Sequence, residues 1–160
     1  MSLEFASILI SGYSMNLKMN KIKSISLSLL LFLSLSSPVF SAPEFFTFYE
    51  LKALAEKAGF SEALSPTIAA IGLAESSGNP RAHNDNLETA DNSYGLMQIN
   101  MIDFPYYLLG TSRRKEFGIE TNEALFDPFV NMKAAKRIYD TSGLTAWSVY
   151  RHGTYKKYLR

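Results

Sequence analysis

Residues 65–80, SPTIAAIGLAESSGNP, limit the fold more than any other stretch of the chain. Ser65-Pro66 reads as a helix start, with Ser as the cap and Pro at the first helical position, where its missing N–H costs nothing. Ile68, Ile71, Gly72 and Glu75 then follow the i, i+3, i+4, i+7 spacing, which predicts a helix whose buried stripe carries a carboxylate in its last turn. Ser-Ser-Gly-Asn-Pro stops it: Gly78 suits a left-handed C-terminal cap and Pro80 cannot continue a helix. Residues 81–93, RAHNDNLETADNS, are polar, rich in Asn and Asp and without helical periodicity. They are predicted as two short strands and a turn, or as one long loop.

Helical signals dominate on both sides. Thr47 and Glu50 have the capping-box spacing, Leu51, Leu54, Ala55 and Ala58 repeat at helical intervals, and Gly59 ends the run. The apolar LMQINMIDF leads into a short helix expected near Pro105 to Leu109, followed by GTSRRKEFGIETNE as a loop. Asp127-Pro128 opens another helix, with Met132, Ala135 and Tyr139 on one face and Gly143 at its end. A last short helix is expected around TAWSVY, packed by Trp147. The predicted class is α+β, mainly α, with a helical lobe and a small β or loop lobe inserted after Glu75 and flanking a cleft.

The first 42 residues are set apart as an export signal: Lys18, Lys21 and Lys23 precede the apolar run Ile25 to Leu35, and SSPVFSAP follows. That run is short of the ~20 apolar residues of a membrane span, so a cleaved leader is favoured over an anchor. Residues 1–14 carry Glu4 and no positive charge, which leaves Met15 or Met19 as alternative starts. The expected domain is residues 43–160, exported to the periplasm or the cell exterior. The chain has no Cys and therefore no disulfide or thiol chemistry. Charges beyond residue 42 are almost balanced, which gives no case for a nucleic-acid partner, and a monomer is expected.

A carboxylate at a helix C-terminus faces the negative end of the macrodipole, and apolar surroundings further disfavour its charged form. Both effects raise the pKa of Glu75, as a general acid working near neutral pH requires. The segment SYGLMQIN, residues 93–100, adds groups suited to neutral sugars. Gly95 permits close backbone approach, while the amides of Gln98 and Asn100 can bond hydroxyls and N-acetyl groups, or satisfy their own loop. His83 and His152, without Cys and without i, i+4 spacing, do not read as a metal site, and no cofactor is expected.

Together, GLAESSGNPRA and NSYGLMQIN resemble the lysozyme superfamily, specifically lytic transglycosylases of the soluble-lytic type and their specialised secreted relatives. LFDPFVNMKAAKRIY is similar to that family's Asp-Pro helix containing an Asn, and AWSVYRHG to its Ala-Tyr-Asn-Ala-Gly element, so the resemblance runs from about residue 47 to 158. Arg151 stands where the family usually has Asn, and His152 where it has Ala. The resemblance implies that Glu75 protonates the bond between N-acetylmuramic acid and N-acetylglucosamine and then deprotonates the sugar's 6-hydroxyl, closing an anhydro ring. It also implies Ser93, Tyr94, Gly95, Met97, Gln98, Asn100 and Tyr150 as substrate-side residues, with Tyr150 aimed at the carboxyl group or a sugar.

SYGLMQIN also resembles the matching segment of animal-type lysozymes, where an Asp precedes Tyr-Gly; here that position is Ser93. A hydrolase needs a second carboxyl group, and the candidates are Asp91, Glu88 and Asp85, whose alternative role is to form turns in an Asn- and Asp-rich loop. Tyr94, Met97, Tyr106 and Tyr107 are candidate sugar-stacking walls, with core burial the plainer role for Met97. The expected partner is the glycan strand of peptidoglycan. A further alternative is a catalytically weak glycan-binding module of a secretion complex or phage virion, and a phage-encoded lysin is the nearest enzymatic variant.

Overall fold

The computed structural model describes residues 45–104 and 107–160, so the expected leader lies outside the described residues. The first helix, α1 (Phe48–Ala58), begins with the expected reciprocal cap between Thr47 and Glu50 and ends at Gly59, whose φ of 103° is the left-handed conformation. It buries Phe48, Leu51, Ala55 and Ala58. The second, α2 (Ser65–Ser76), forms where expected, but Ser65 is not its cap. The Ser65 N–H and hydroxyl both donate to the Ser61 carbonyl, so a turn at residues 61–64 runs straight into the helix.

Every residue from Ile68 to Gly72 is buried, which makes α2 the central helix of the core rather than one with a single apolar stripe. Its C-terminal cap is Ser77, at φ 56°, not Gly78. Gly78 also has positive φ, at 81°, for a different reason: a Cβ there would lie 2.1 Å from the Phe46 carbonyl oxygen. Glycine lets the incoming chain cross the end of the helix, where Phe46 N–H donates to the Gly78 carbonyl.

The inserted lobe is a three-stranded antiparallel sheet in sequence order, β1 (His83–Asn84), β2 (Ser93–Tyr94) and β3 (Ile99–Asn100). A 3-10 turn, Leu87–Thr89, lies between the first two strands. A two-stranded hairpin follows, β4 (Asp103–Phe104) with β5 (Tyr107–Leu108). Pro105, Tyr106 and the Tyr107 side chain, two expected stacking aromatics among them, lie outside what is described.

The next helix, α3 (Leu109–Phe117), corrects the sequence expectation: the segment read as a loop is helical, and the helix expected near Pro105 gives way to the hairpin. Its starting groups are satisfied from elsewhere in the chain. Asp103 accepts from the Thr111 N–H at 2.8 Å and from the Thr111 hydroxyl at 3.1 Å, and pairs with Arg114 at 2.6 Å. A cap eight residues upstream leaves no local spacing to read.

The long helix α4 (Pro128–Ser142) opens as expected, with the Asp127 carboxylate accepting from Phe129 and Val130 N–H. A 3-10 turn, Leu144–Ala146, leads to the short α5 (Ser148–Arg151), and a further 3-10 segment, Thr154–Tyr158, packs on α2. The fold is the mainly helical α+β class expected, a helical body carrying a three-stranded sheet and a two-stranded hairpin.

Two polar groups join the sheet to the helices. Asn131, fully buried on α4, accepts from Met97 N–H at 2.9 Å and donates to the carbonyls of Tyr94 at 2.8 Å and Leu125 at 2.9 Å. The Trp147 indole N–H donates to the Met97 carbonyl at 3.1 Å. Gly95 lies against the same amide, where a Cβ would fall 2.3 Å from Asn131 Nδ2. Truncating Asn131 strands three buried backbone groups, so Asn131→Ala is expected to lose about 3 kcal/mol or more of stability. Asn131→Asp, which sets a carboxylate oxygen against two carbonyls, is expected to lose at least as much; urea unfolding followed by circular dichroism checks both.

Candidate active site

Cross-strand register aims one row of side chains at the helical body. Asn84 pairs with Ser93 and Ser93 with Asn100, so these three share a face of the sheet. All three line a cavity of about 380 Å³. The neighbouring row, His83, Tyr94 and Ile99, holds Tyr94 buried with its ring 4.3 Å from that of His83. Tyr94 therefore packs the sheet onto the core and does not line the cavity.

Glu75, at the end of α2, lines the same cavity. Its pKa is pushed up from the usual 4.5 to about 7, first by burial, then by the negative charge of Asp91; the positive charge of Arg151 opposes both. Asp91 lines the same cavity, half-buried, and is held from two sides: the Ser93 hydroxyl donates to one carboxylate oxygen and the Asn84 amide to the other, the latter at 2.7 Å. Asn100 fixes the backbone around it, donating to the Ala90 carbonyl at 3.0 Å and accepting from the Asn92 N–H at 3.3 Å. Two residues either side of Asp91 are thus tied to β3.

Of the residues singled out from sequence, Glu75, Asp91, Ser93, Gln98 and Asn100 come together in the cavity. Gln98 has an unusual backbone, at φ 44° without being glycine, and its amide donates to the carbonyls of Gly95 at 3.0 Å and Ala82 at 3.3 Å. Both amide protons are taken up by backbone carbonyls, one in the turn and one just before β1, and only the amide oxygen remains for a ligand. Gly95 and Met97 are buried beneath the turn rather than in the wall. Tyr150 stacks on Tyr155 with ring centres 5.1 Å apart; it does not line the cavity, and among the described residues its hydroxyl has no hydrogen bond to Glu75. Glu88 and Asp85 are exposed and outside the cavity.

The lining residues that escaped sequence reasoning include Asn84, Arg113, Trp147 as a wall as well as packing, and Arg151. Arg113, on α3, donates to the Asn100 carbonyl, and its own pKa is lowered by burial. Arg151 donates to the Thr145 carbonyl at 2.6 Å. Its substitution into a position where related chains carry Asn was the available signal.

A partly buried carboxyl group protonated near neutrality, with a second carboxylate fixed in the same polar cavity, is an arrangement suited to acid-assisted cleavage of a glycosidic bond. Residues 52–149 match the family model described as a lysozyme-like domain. The match covers more than half of the chain, which belongs to that family, in its soluble-lytic-transglycosylase type; the family acts on peptidoglycan. No curated protein matches the chain.

The raised pKa of Glu75 has a stability consequence of definite sign. Between about 4.5 and about 7 the folded chain holds a proton that the unfolded chain has released, so this group makes stability fall as pH rises through that window. Glu75→Gln removes the effect. The variant is expected to match wild type below pH 4.5 and to become progressively the more stable of the two up to pH 7. Thermal unfolding across a pH series checks this.

Proposed function

We propose that this chain is a peptidoglycan lytic transglycosylase that cleaves the β-1,4 bond between N-acetylmuramic acid and N-acetylglucosamine with Glu75 as its single acid/base. One observation carries the reading: the carboxyl group of Glu75, with a pKa near 7, stands inside a sugar-sized polar cavity of a lysozyme-like chain. The protonated carboxyl donates to the glycosidic oxygen as the C1–O bond breaks, and positive charge develops at C1. The substrate's 2-acetamido oxygen and the Asp91 carboxylate, fixed by Ser93 and Asn84, are placed to stabilise that charge. The Glu75 carboxylate then takes the proton of the sugar's 6-hydroxyl as O6 bonds to C1. The 1,6-anhydro ring closes and the acid is regenerated without a cofactor. On this reading the chain is exported and works in the cell envelope, where its glycan lies.

Asp91 favours a second reading. A fixed carboxylate in the same cavity as the acid can act as the base that activates water, giving hydrolysis instead of ring closure. Digestion of sacculi with the full chain separates the two: mass spectrometry of the soluble fragments shows anhydro ends for the first and reducing ends, one water heavier, for the second. No fragments at all would leave a glycan-binding module. Glu75→Gln is expected to lower fragment release by at least about 100-fold. For Asp91→Asn, the transglycosylase reading expects a modest loss, with the alkaline limb of the pH profile moved to lower pH because the negative charge that helps hold the proton on Glu75 is gone. Hydrolysis expects a loss like that of Glu75→Gln.

A further inference from the structure

Two cations face this cavity. Arg113 and Arg151 both line it, and among the described residues neither has a carboxylate within salt-bridge distance; the ion pairs formed are Lys52–Glu56, Arg114–Asp103 and Lys136–Asp140. Each guanidinium is instead pinned through Nη1 to a backbone carbonyl, Arg113 to Asn100 and Arg151 to Thr145. A carbonyl anchor fixes the position of the head group without placing a counter-charge in contact with it, although Glu116 acts on Arg113 and Glu75 on Arg151 from further off.

The two differ in what they can reach. Arg113 is sunk between α3 and β3, with its carbonyl partner inside the sheet. Arg151 ends α5, is exposed, and stands close enough to Glu75 to act on its charge. With Nη1 directed at Thr145, the remaining N–H groups of Arg151 are left for the open cavity, in the fork geometry that suits a carboxylate. A neutral sugar has no group that uses such a charge.

We propose that Arg151 is a specificity-determining residue that binds a carboxylate of the glycan beside the scissile bond, so that the site selects acidic strands, with free lactyl carboxylates, over neutral or amide-capped ones. This rests on the glycan-cleaving function above and deepens it. In a strand stripped of its peptides each muramic acid presents such a carboxylate, whereas in a peptide-bearing strand the same carbonyl is an amide. Arg151 therefore favours denuded glycan.

The experiment reads binding, so it does not depend on turnover. Trp147 is the only tryptophan of the chain and lines the cavity, which makes its fluorescence a reporter. The full chain carrying Glu75→Gln is titrated with a muramoyl-glucosaminyl tetrasaccharide bearing free lactyl carboxylates, and with the same sugar as its methylamide. The free acid is expected to bind roughly 5- to 10-fold more tightly, with the preference shrinking as salt rises. Adding Arg151→Gln is expected to erase the preference, so that the two sugars bind alike, and Arg151→Lys to restore part of it. Equal binding of the two sugars, or a preference that survives Arg151→Gln, overturns the proposal and leaves the cleavage function standing. Binding of neither sugar overturns both.

Discussion

The arrangement of sheet on helices depends first on one buried amide. Asn131 projects from α4 into the turn between β2 and β3 and satisfies one N–H and two carbonyls with adjacent atoms of one side chain. An apolar side chain would leave those groups buried and unpaired, and a carboxylate would offer no donor. Because the turn is held in this way, β2 and β3 keep their register, and register turns Asn84, Ser93 and Asn100 toward Glu75. The glycine at position 95 is demanded by the same contact, since only a residue without Cβ fits beneath the amide.

The electrostatics of the cavity are a contest in which the acidic side wins. Burial and Asp91 hold the proton on Glu75, and Arg151 works to release it. The outcome, near 7, lies where a single group can both give and take a proton at working pH. Asp91 does not drift in this balance, because Ser93, Asn84 and the Asn100 brace keep it in place. The serine at the position where animal-type lysozymes carry Asp is thus bonded to a carboxylate two residues earlier on the same side of the strand.

Much of this was legible in the sequence, and the parts that were not share one cause. The caps of α1 and α4 and the end of α2 near Glu75 follow from local chemistry, Thr47 with Glu50, Asp127 with Pro128 and Pro80 as a breaker, whereas the sheet after it was left open between strands and a loop, and β3 was not foreseen. The helix α3 was missed because its cap is Asp103, across a hairpin. Asn131 was seen as part of a motif and given no task, because its partners lie 34 and 37 residues upstream and six residues away. Arg151 and Asn84 entered the site the same way, through tertiary proximity. Composition marks a residue as polar, but only the fold decides which polar residue faces the acid.

The bond from the Trp147 indole to the Met97 carbonyl has a mechanical consequence. It crosses from the helical body to the sheet at a point sealed from water, and the same ring forms part of the cavity wall. Opening the jaws would break a buried hydrogen bond with no solvent to replace it. Any relative motion of helices and sheet at this point therefore carries a cost, and the stretch of cavity wall that Trp147 forms is tethered to the turn beneath it.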